Sequence, residues 1–311
     1  KNPIFFLQLM SQYRATHLQG PNFMYAYMAR KWNDLEFKPH INLSSLYHIF
    51  NAAESINYLD YMKFYETFSK YGLNKSALAT GYGLAESVVY VSDTGHNGKR
   101  GAQVLMVNKE KLLSTKKIEI CNNSDKIIVG CGRPPSGFGV DIKIIKDTLE
   151  LNDLNIGEIY ISSDSIPQEN LLFFINDRKY LKTGDLGFIY NNELFITGRS
   201  NDLVIINGKN YYPQDFEWFI SQKDLVKKGS VAVFQSDKKM IGIFELKQKY
   251  TDVTYHYLVT TLKKDLFTTF GIYVELFIVD SKNIIKTTSG KVSRQKCKMN
   301  YKKMTILYPN S

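Results

Sequence analysis

The spacing of apolar residues changes character partway along the chain, from a helical period to a strand period. Pro3 and Pro21 each precede runs in which apolar residues recur every three or four positions, which predicts helices with a proline at their start. Residues 58–71, YLDYMKFYETFSKY, keep that spacing and stop before Gly72, a residue suited to closing a helix. From 76 to 92 the pattern predicts strand, loop and strand, with GYGLAE at 81–86 in the loop; a stretch of mixed character follows over 93–131. Beyond 139 alternation takes over, and VDIKIIK, GEIYIS and the apolar segments around 188 and 194 predict a small β-rich unit. A second β-region opens with DLVIINGKNYYP, where Asn207-Gly208 is a two-residue hairpin signal. Pro213 then starts a helix with Asp215 and Glu217 in its first turn, where negative charge meets the positive end of the helix dipole. A hairpin over 231–246, a helix over 255–270 ended by Gly271, a strand over 273–280 and a loop bearing KTTSGK at 286–291 complete the pattern. A domain boundary is expected near 199–201.

Composition narrows the class. With 311 residues, 44% hydrophobic and 14% aromatic, the chain can bury more than one core, so two or more packed units are expected. Its 21 Tyr and 19 Phe exclude a disordered composition. Apolar runs such as LLFFI at 171–175 fall far short of the roughly 20 residues of a membrane span, so no transmembrane segment is expected. The first residues, KNPIFFLQLMSQYRATH, lack a small-residue cleavage site and do not read as a signal peptide. Cys121, Cys131 and Cys297 are odd in number and widely spaced, which argues against a disulfide framework or a zinc site and for a reducing, cytoplasmic location. The net charge of +10 invites a nucleic-acid partner, but the lysines are scattered. The tightest group, KVSRQKCKMNYKK at 291–303, comes with no recognition pattern, so no nucleic acid is expected.

Three separated loops hold polar residues that strand-forming sequence does not require. In GYGLAE, Tyr82 offers an aromatic face, Gly81 and Gly83 permit close backbone approach, and Glu86 is a carboxylate suited to a hard cation. In KTGD, Thr183 and Gly184 turn the chain so that Asp185 presents two acceptor oxygens, which suits a pair of vicinal hydroxyls, and Arg199 follows one strand later. In TTSGK, a Ser-Gly step precedes Lys291, a mobile point charge for phosphate or carboxylate oxygens. Each loop alone reads as an ordinary turn, a core aromatic or a solvated lysine; their succession carries more.

YGLAE, YLKTGDLG, ELFITGRSNDLVIINGKNYYPQDFE and KTTSGKVSR resemble, in order, the successive motifs of the adenylate-forming (AMP-binding) superfamily, and the resemblance extends across nearly all 311 residues. That superfamily includes acyl-CoA synthetases, peptide-synthetase adenylation domains, luciferases and fatty acyl-AMP ligases. The chain looks most like the fatty acyl-AMP ligases: Ala85 stands where many relatives have Thr, GPNFMY occurs at 20–25, and 93–131 falls where those ligases carry an insertion. The resemblance implies an incomplete adenylate-forming α/β fold. Residues 1–136 would be the remainder of a large N-terminal α/β domain, 137–199 a small β-barrel-like subdomain, and 200–311 a mobile α+β C-terminal domain. It also implies ATP-dependent activation of a fatty acid as acyl-AMP with Mg²⁺, followed by transfer to an acyl carrier protein or to a carrier domain of a polyketide or peptide synthase. By position, Tyr82 would stack on adenine, with Ala53, Glu54 and Gly83 also in the nucleotide site. Glu86 would hold Mg²⁺, Asp185 the ribose hydroxyls, and Arg199 the ribose or phosphate. Lys291 would be the catalytic lysine and Asn201 the hinge.

The sequence also departs from the family. In NAAESI at 51–56, Ala52 and Ser55 replace a Gly and a Pro; Asn201 replaces a charged hinge residue; and PQENLLFF at 167–174 lacks a Gly-Tyr-Trp. The Gly/Ser/Thr-rich phosphate loop and the first subdomain are not found in 1–311, so the chain is expected to be a fragment that is inactive alone. Two alternatives stay open: a long-chain fatty acyl-CoA synthetase, and a non-catalytic AMP-binding-like interaction module.

Overall fold

In a computed structural model, which describes residues 2–95, 101–115, 117–123, 126–170, 173–175, 178–288 and 290–309, the chain divides into two compact units, Lys1–Asn201 and Asp202–Ser311. The first begins with helix α1 (Pro3–Gln12), strand β1 (His17–Gly20), α2 (Asn22–Asn33), β2 (His48–Asn51), α3 (Tyr58–Phe68), β3 (Leu78–Tyr82) and β4 (Ser92–Asp93). The Asn2 carboxamide accepts the Ile4 and Phe5 amides at the start of α1, and Asn57 does the same for Asp60 in α3, satisfying amides that have no partner within the helix. Strands β1, β2 and β3 are parallel and β4 closes the sheet antiparallel, in the order β1-β2-β3-β4. The sequence pattern predicts the helices and the strands of 76–92 here, but not β1 and β2. Strands β1 and β2, of four residues each, are too short for a period of two to reveal them.

Trp32, Phe64, Phe68 and Tyr25 are sealed beneath α1–α3, with Trp32 tilted against Phe68 at 5.5 Å and edge-on to Tyr71 at 5.1 Å. Each such buried ring contributes on the order of 2 kcal/mol of transfer free energy. Two buried phenols tie this layer to the sheet: Tyr25 donates to the Phe50 carbonyl at 2.8 Å, and Tyr61 to the Ile49 carbonyl at 2.6 Å.

The stretch of mixed character folds into β5 (Val104–Met106), α4 (Lys109–Thr115) and β6 (Ile127–Val129), the two strands pairing antiparallel. Residues 96–100, 116, 124 and 125 of this stretch lie outside the described residues. The β-rich part of the first unit contains β7 (Asp141–Lys146), β8 (Leu149–Glu150), β9 (Gly157–Ser162), β10 (Phe173–Ile175), β11 (Arg178–Tyr190) and β12 (Glu193–Arg199). These form one six-stranded sheet, ordered β10-β11-β9-β7-β8 with β12 on β11. One expectation is corrected here. KTGD is not a turn between elements but part of the 13-residue β11. Pairing with β9 runs from Lys182 opposite Tyr160 to Leu186 opposite Glu158, so Thr183, Gly184 and Asp185 bulge out of the ladder. Gly184 takes the left-handed conformation that the bulge needs, with φ 75°.

The second unit starts with the hairpin β13 (Val204–Ile206) and β14 (Lys209–Tyr211), turned at Asn207-Gly208, where both residues have positive φ. It continues with α5 (Pro213–Ser221), β15 (Val226–Ser236), β16 (Lys239–Leu246), α6 (Asp252–Phe270), β17 (Val274–Val279), α7 (Arg294–Asn300) and β18 (Ile306–Tyr308). The sheet order is β15-β16-β17-β18, and α6 provides the crossover between the parallel pair β16 and β17. Phe216 of α5 stacks on Phe270 of α6 at 4.1 Å. Glu217 lies beyond the first turn of α5, where only Asp215 remains, and it is engaged by Arg294 instead.

Candidate functional site

Parallel strands that end together present their last backbone groups to one crevice, the usual place for a ligand in open α/β sheets. Here β1 ends at Gly20, β2 at Asn51 and β3 at Tyr82, so the loops bearing Ala53, Glu54 and Gly83 leave the same edge of the sheet. Gly83 is required there on steric grounds. A Cβ on it would lie 1.6 Å from the Val89 carbonyl oxygen, because the chain turns back through a short 3-10 turn, Ala85–Ser87. The turn ends in two β-branched residues in left-handed backbone, Val88 (φ 54°) and Val89 (φ 73°), an arrangement that costs about 1–3 kcal/mol per residue and concentrates at ligand loops. Ala53 is also left-handed, with φ 73°.

Tyr82 and Asp185, 103 positions apart, meet directly: the phenol donates to Asp185 Oδ2 at 2.6 Å. Arg199, opposite Asp185 in the β11–β12 ladder, donates through Nε to Oδ1 at 3.0 Å. The bulge aims the carboxylate, since Thr183 Oγ1 accepts the Asp185 amide at 3.0 Å while donating to the Ile159 carbonyl at 2.8 Å. Asp185 is 7% exposed, whereas the Arg199 side chain is 69% exposed. Burial, then the charge of Asp185 and the hydrogen bond to it, push the Tyr82 phenol well above its ordinary range. The result is a buried carboxylate with a neutral donor on one oxygen and a guanidinium on the other. Each oxygen keeps a lone pair for a further donor.

The remaining expected residues are placed differently. Glu86 sits in the exposed 3-10 turn after Tyr82. Glu54 caps α2 from a distance, its Oε1 accepting the Phe23 amide at 2.6 Å. Asn201 is the last residue of the first unit. Lys291 belongs to the second unit, in a turn where its carbonyl accepts the Thr287 amide at 2.7 Å and its amide donates to Thr287 Oγ1 at 3.2 Å; Ser289 of that loop lies outside the described residues. Among the described residues no group of three or more His, Cys, Asp or Glu gathers to hold a metal, and no helix is long and apolar enough to cross a membrane. A cavity of about 460 Å³ beside Tyr160, Phe173 and Lys182 is bordered by none of the expected residues.

Sequence reasoning gave Asn51 no role of its own, and gave Thr183 only that of turning the chain at KTGD. Asn51 is fully buried at the end of β2, its Nδ2 donating to Asn22 Oδ1 at 3.0 Å and its Oδ1 lacking a partner among the described residues. The signal available was a polar residue closing an apolar strand in IFN.

Comparison with known proteins bears on the chain as a whole. The family described as Disco-interacting protein 2-like, AMP domain, matches residues 201–309. The medium-chain-fatty-acid–[acyl-carrier-protein] ligase JamA of Moorena producens is 30% identical over 329 residues, covering 98% of this chain and 55% of the relative. A fatty acyl-adenylate ligase structure from a study of the E. coli and L. pneumophila enzymes superposes with a TM-score of 0.86 at 25% identity, over 97% of this chain and 55% of that one. The chain is similar to members of the adenylate-forming superfamily and is most like its fatty acyl-AMP ligases. A second ligase of this kind, from L. pneumophila and in complex with acyl adenylate and pyrophosphate, aligns at 29% identity with a TM-score of 0.61, over 98% of this chain and 56% of that one. The fold is therefore a partial adenylate-forming α/β fold, and the chain spans about half the length of the curated relatives it matches.

Proposed function

We propose that the protein carrying this chain activates a fatty acid as acyl-adenylate and passes the acyl group to a carrier protein. The reading rests on the meeting of Tyr82, Asp185 and Arg199 where the loops after the parallel strands emerge. In this reading the adenine ring lies against Tyr82, beside the Gly83 backbone and the loop of Ala53 and Glu54. The ribose hydroxyls donate to the two oxygens of Asp185, and Arg199 faces the ribose or phosphate. A carboxylate oxygen of the fatty acid forms a bond to the α-phosphorus of ATP as the bond to the β-phosphate oxygen breaks and pyrophosphate leaves. Bringing two anions together requires cationic groups that are already in place. Lys291 supplies one, to the acyl carboxylate and the α-phosphate.

Glu86 fits a Mg²⁺ ion, because this cation is commonly held by one or two carboxylates plus the substrate's own phosphates, and an exposed carboxylate leaves that room. The ion would neutralise charge on the phosphate oxygens. The carrier as acceptor is supported by the relative named as an acyl-carrier-protein ligase. The division into a large-domain remainder (1–136), a small β-subdomain (137–199) with the inserted stretch 93–131 before it, and a C-terminal domain hinged at Asn201 belongs to the same proposal.

Fatty-acid-dependent exchange of labelled pyrophosphate into ATP tests it. A chimaera uniting this chain with the portion of the Moorena ligase that it does not match should show exchange, and Lys291→Ala should abolish it without unfolding the protein. Exchange that survives Lys291→Ala would remove the lysine from the reaction.

A further inference from the structure

In the second unit a half-buried ionic cluster joins the unit's first residue to the segment that bears Lys291. Arg294, the first residue of α7, donates Nε to Glu217 Oε1 at 2.7 Å and Nη2 to Glu217 Oε2 at 2.8 Å, a two-pronged contact on α5. Its remaining arm, Nη1, donates to Asp202 Oδ2. Glu217 Oε1 also accepts the Val233 amide at 2.9 Å, so the pair is anchored to β15. The three side chains are only 17–28% exposed. Asp202 directly follows Asn201, where the chain passes from one compact unit to the other.

On the other side of Arg294, the Lys291 turn is held at its base. Lys286 and Val292 form an antiparallel bridge, the Ser293 amide donates to the Ile285 carbonyl at 2.8 Å, and Cys297 is buried in the core of the unit. Arg294 would be adequately paired by Glu217 alone. The third contact adds little to stability, because a partly exposed extra ion pair is worth little. Its effect is geometric. It fixes the first residue after the junction to the helix that begins three residues after Lys291. Arginine is suited to this, since a rigid planar fork can bind one carboxylate with two arms and a second with the third, which a lysine ammonium cannot reproduce.

We propose that Arg294 is a positioning residue: through Asp202 and Glu217 it makes the start of the second unit and the Lys291 segment one rigid piece, so that backbone rotation at 201–202 is delivered to Lys291 without slack. The functional half of this statement rests on the acyl-adenylate reading above; the structural half does not.

Two measurements separate them. In this chain, amide hydrogen exchange over 201–206 should become at least tenfold faster in Asp202→Asn, while segment 226–246 and the melting temperature stay as in the parent, because the Arg294–Glu217 fork remains. Asp202→Glu, which keeps the carboxylate, should restore slow exchange. Unchanged exchange over 201–206 in Asp202→Asn overturns the latch whatever the activity. In the chimaera, Asp202→Asn and Arg294→Lys should each lower kcat for acyl-AMP formation at least tenfold with KM for ATP unchanged; an unaltered kcat alongside faster exchange overturns the positioning role. A parent chimaera that makes no acyl-AMP counts against the acyl-adenylate reading, and the exchange result still decides the latch.

Discussion

Tyr82→Phe isolates the contact on which the candidate site is built. The substitution keeps the ring and removes only the hydroxyl whose proton lies on Asp185 Oδ2 at 2.6 Å. A hydrogen bond to a charged group contributes about 1.5–3 kcal/mol. Solvent can offset little of that loss, because Tyr82 is 9% and Asp185 7% exposed. For a unit of this size 1 kcal/mol corresponds to about 2–4 °C, so the transition of the first unit should fall by about 3–12 °C. Arg199→Ala provides the contrast. It removes the other partner of the same carboxylate, but the Arg199 side chain is 69% exposed, and an exposed pair is worth about 0–1 kcal/mol. Its transition should fall by no more than about 4 °C. Differential scanning calorimetry of the chain and both variants at pH 7 reads the two values. A Tyr82→Phe transition within 1 °C of the parent, or an Arg199→Ala loss exceeding it, would refute the assignment of the buried bond as the dominant one.

Three further outcomes follow from the same packing. Burial raises the phenols of Tyr25, Tyr61 and Tyr82, so above about pH 10 the unfolded chain loses protons that the folded chain keeps. Stability should be fully present below pH 10 and fall above it by about 1.4 kcal/mol per pH unit for each of the three; a urea titration showing no loss from pH 10 to 11 would contradict this. Burial also raises Glu193, against the amides of Gln103 and Gly132 that lower it, so its contribution is present below its unfolded pKa and lost as pH rises through the folded one. Glu193→Gln should remove that decline and melt no lower than the parent at pH 7; an unchanged pH profile would exclude the role. Gly83→Ala cannot be accommodated without moving the Val89 carbonyl, so amide exchange at Val91, which donates to the Tyr82 carbonyl at 3.0 Å, should accelerate, with a stability loss of about 1–3 kcal/mol. Unaltered exchange would show that the loop has room to spare.

Residues with a local rule behind them were legible before any coordinates. Pro3 and Pro213 open helices, Gly72 and Gly271 close them in left-handed backbone, and Asn207-Gly208 turns a hairpin. Features decided by distant packing were not legible. Strands β1 and β2 are four residues each, too short for a period to declare itself, and differ in burial: only Leu18 is buried in β1, whereas Ile49, Phe50 and Asn51 are all buried in β2. The bulge at Thr183–Asp185 reads as a turn in sequence because Gly-Asp signals both, and only the ladder with β9 distinguishes them. At the candidate site, motif order drew attention to Tyr82, Asp185 and Arg199, but their bonding across 103 positions required the fold. Arg294 was hidden inside a basic run, where nothing local indicates that Glu217 and Asp202 surround it.

The most direct test of the account is whether the Tyr82–Asp185 constellation recognises a nucleoside monophosphate. Saturation-transfer NMR of AMP with this chain at millimolar ligand detects weak contacts without requiring turnover. The account predicts transfer to the adenine and ribose protons, with the ribose signals lost in Asp185→Ala and both sets retained in Lys291→Ala. Signals of equal strength in the parent and Asp185→Ala, or none in the parent, would contradict it.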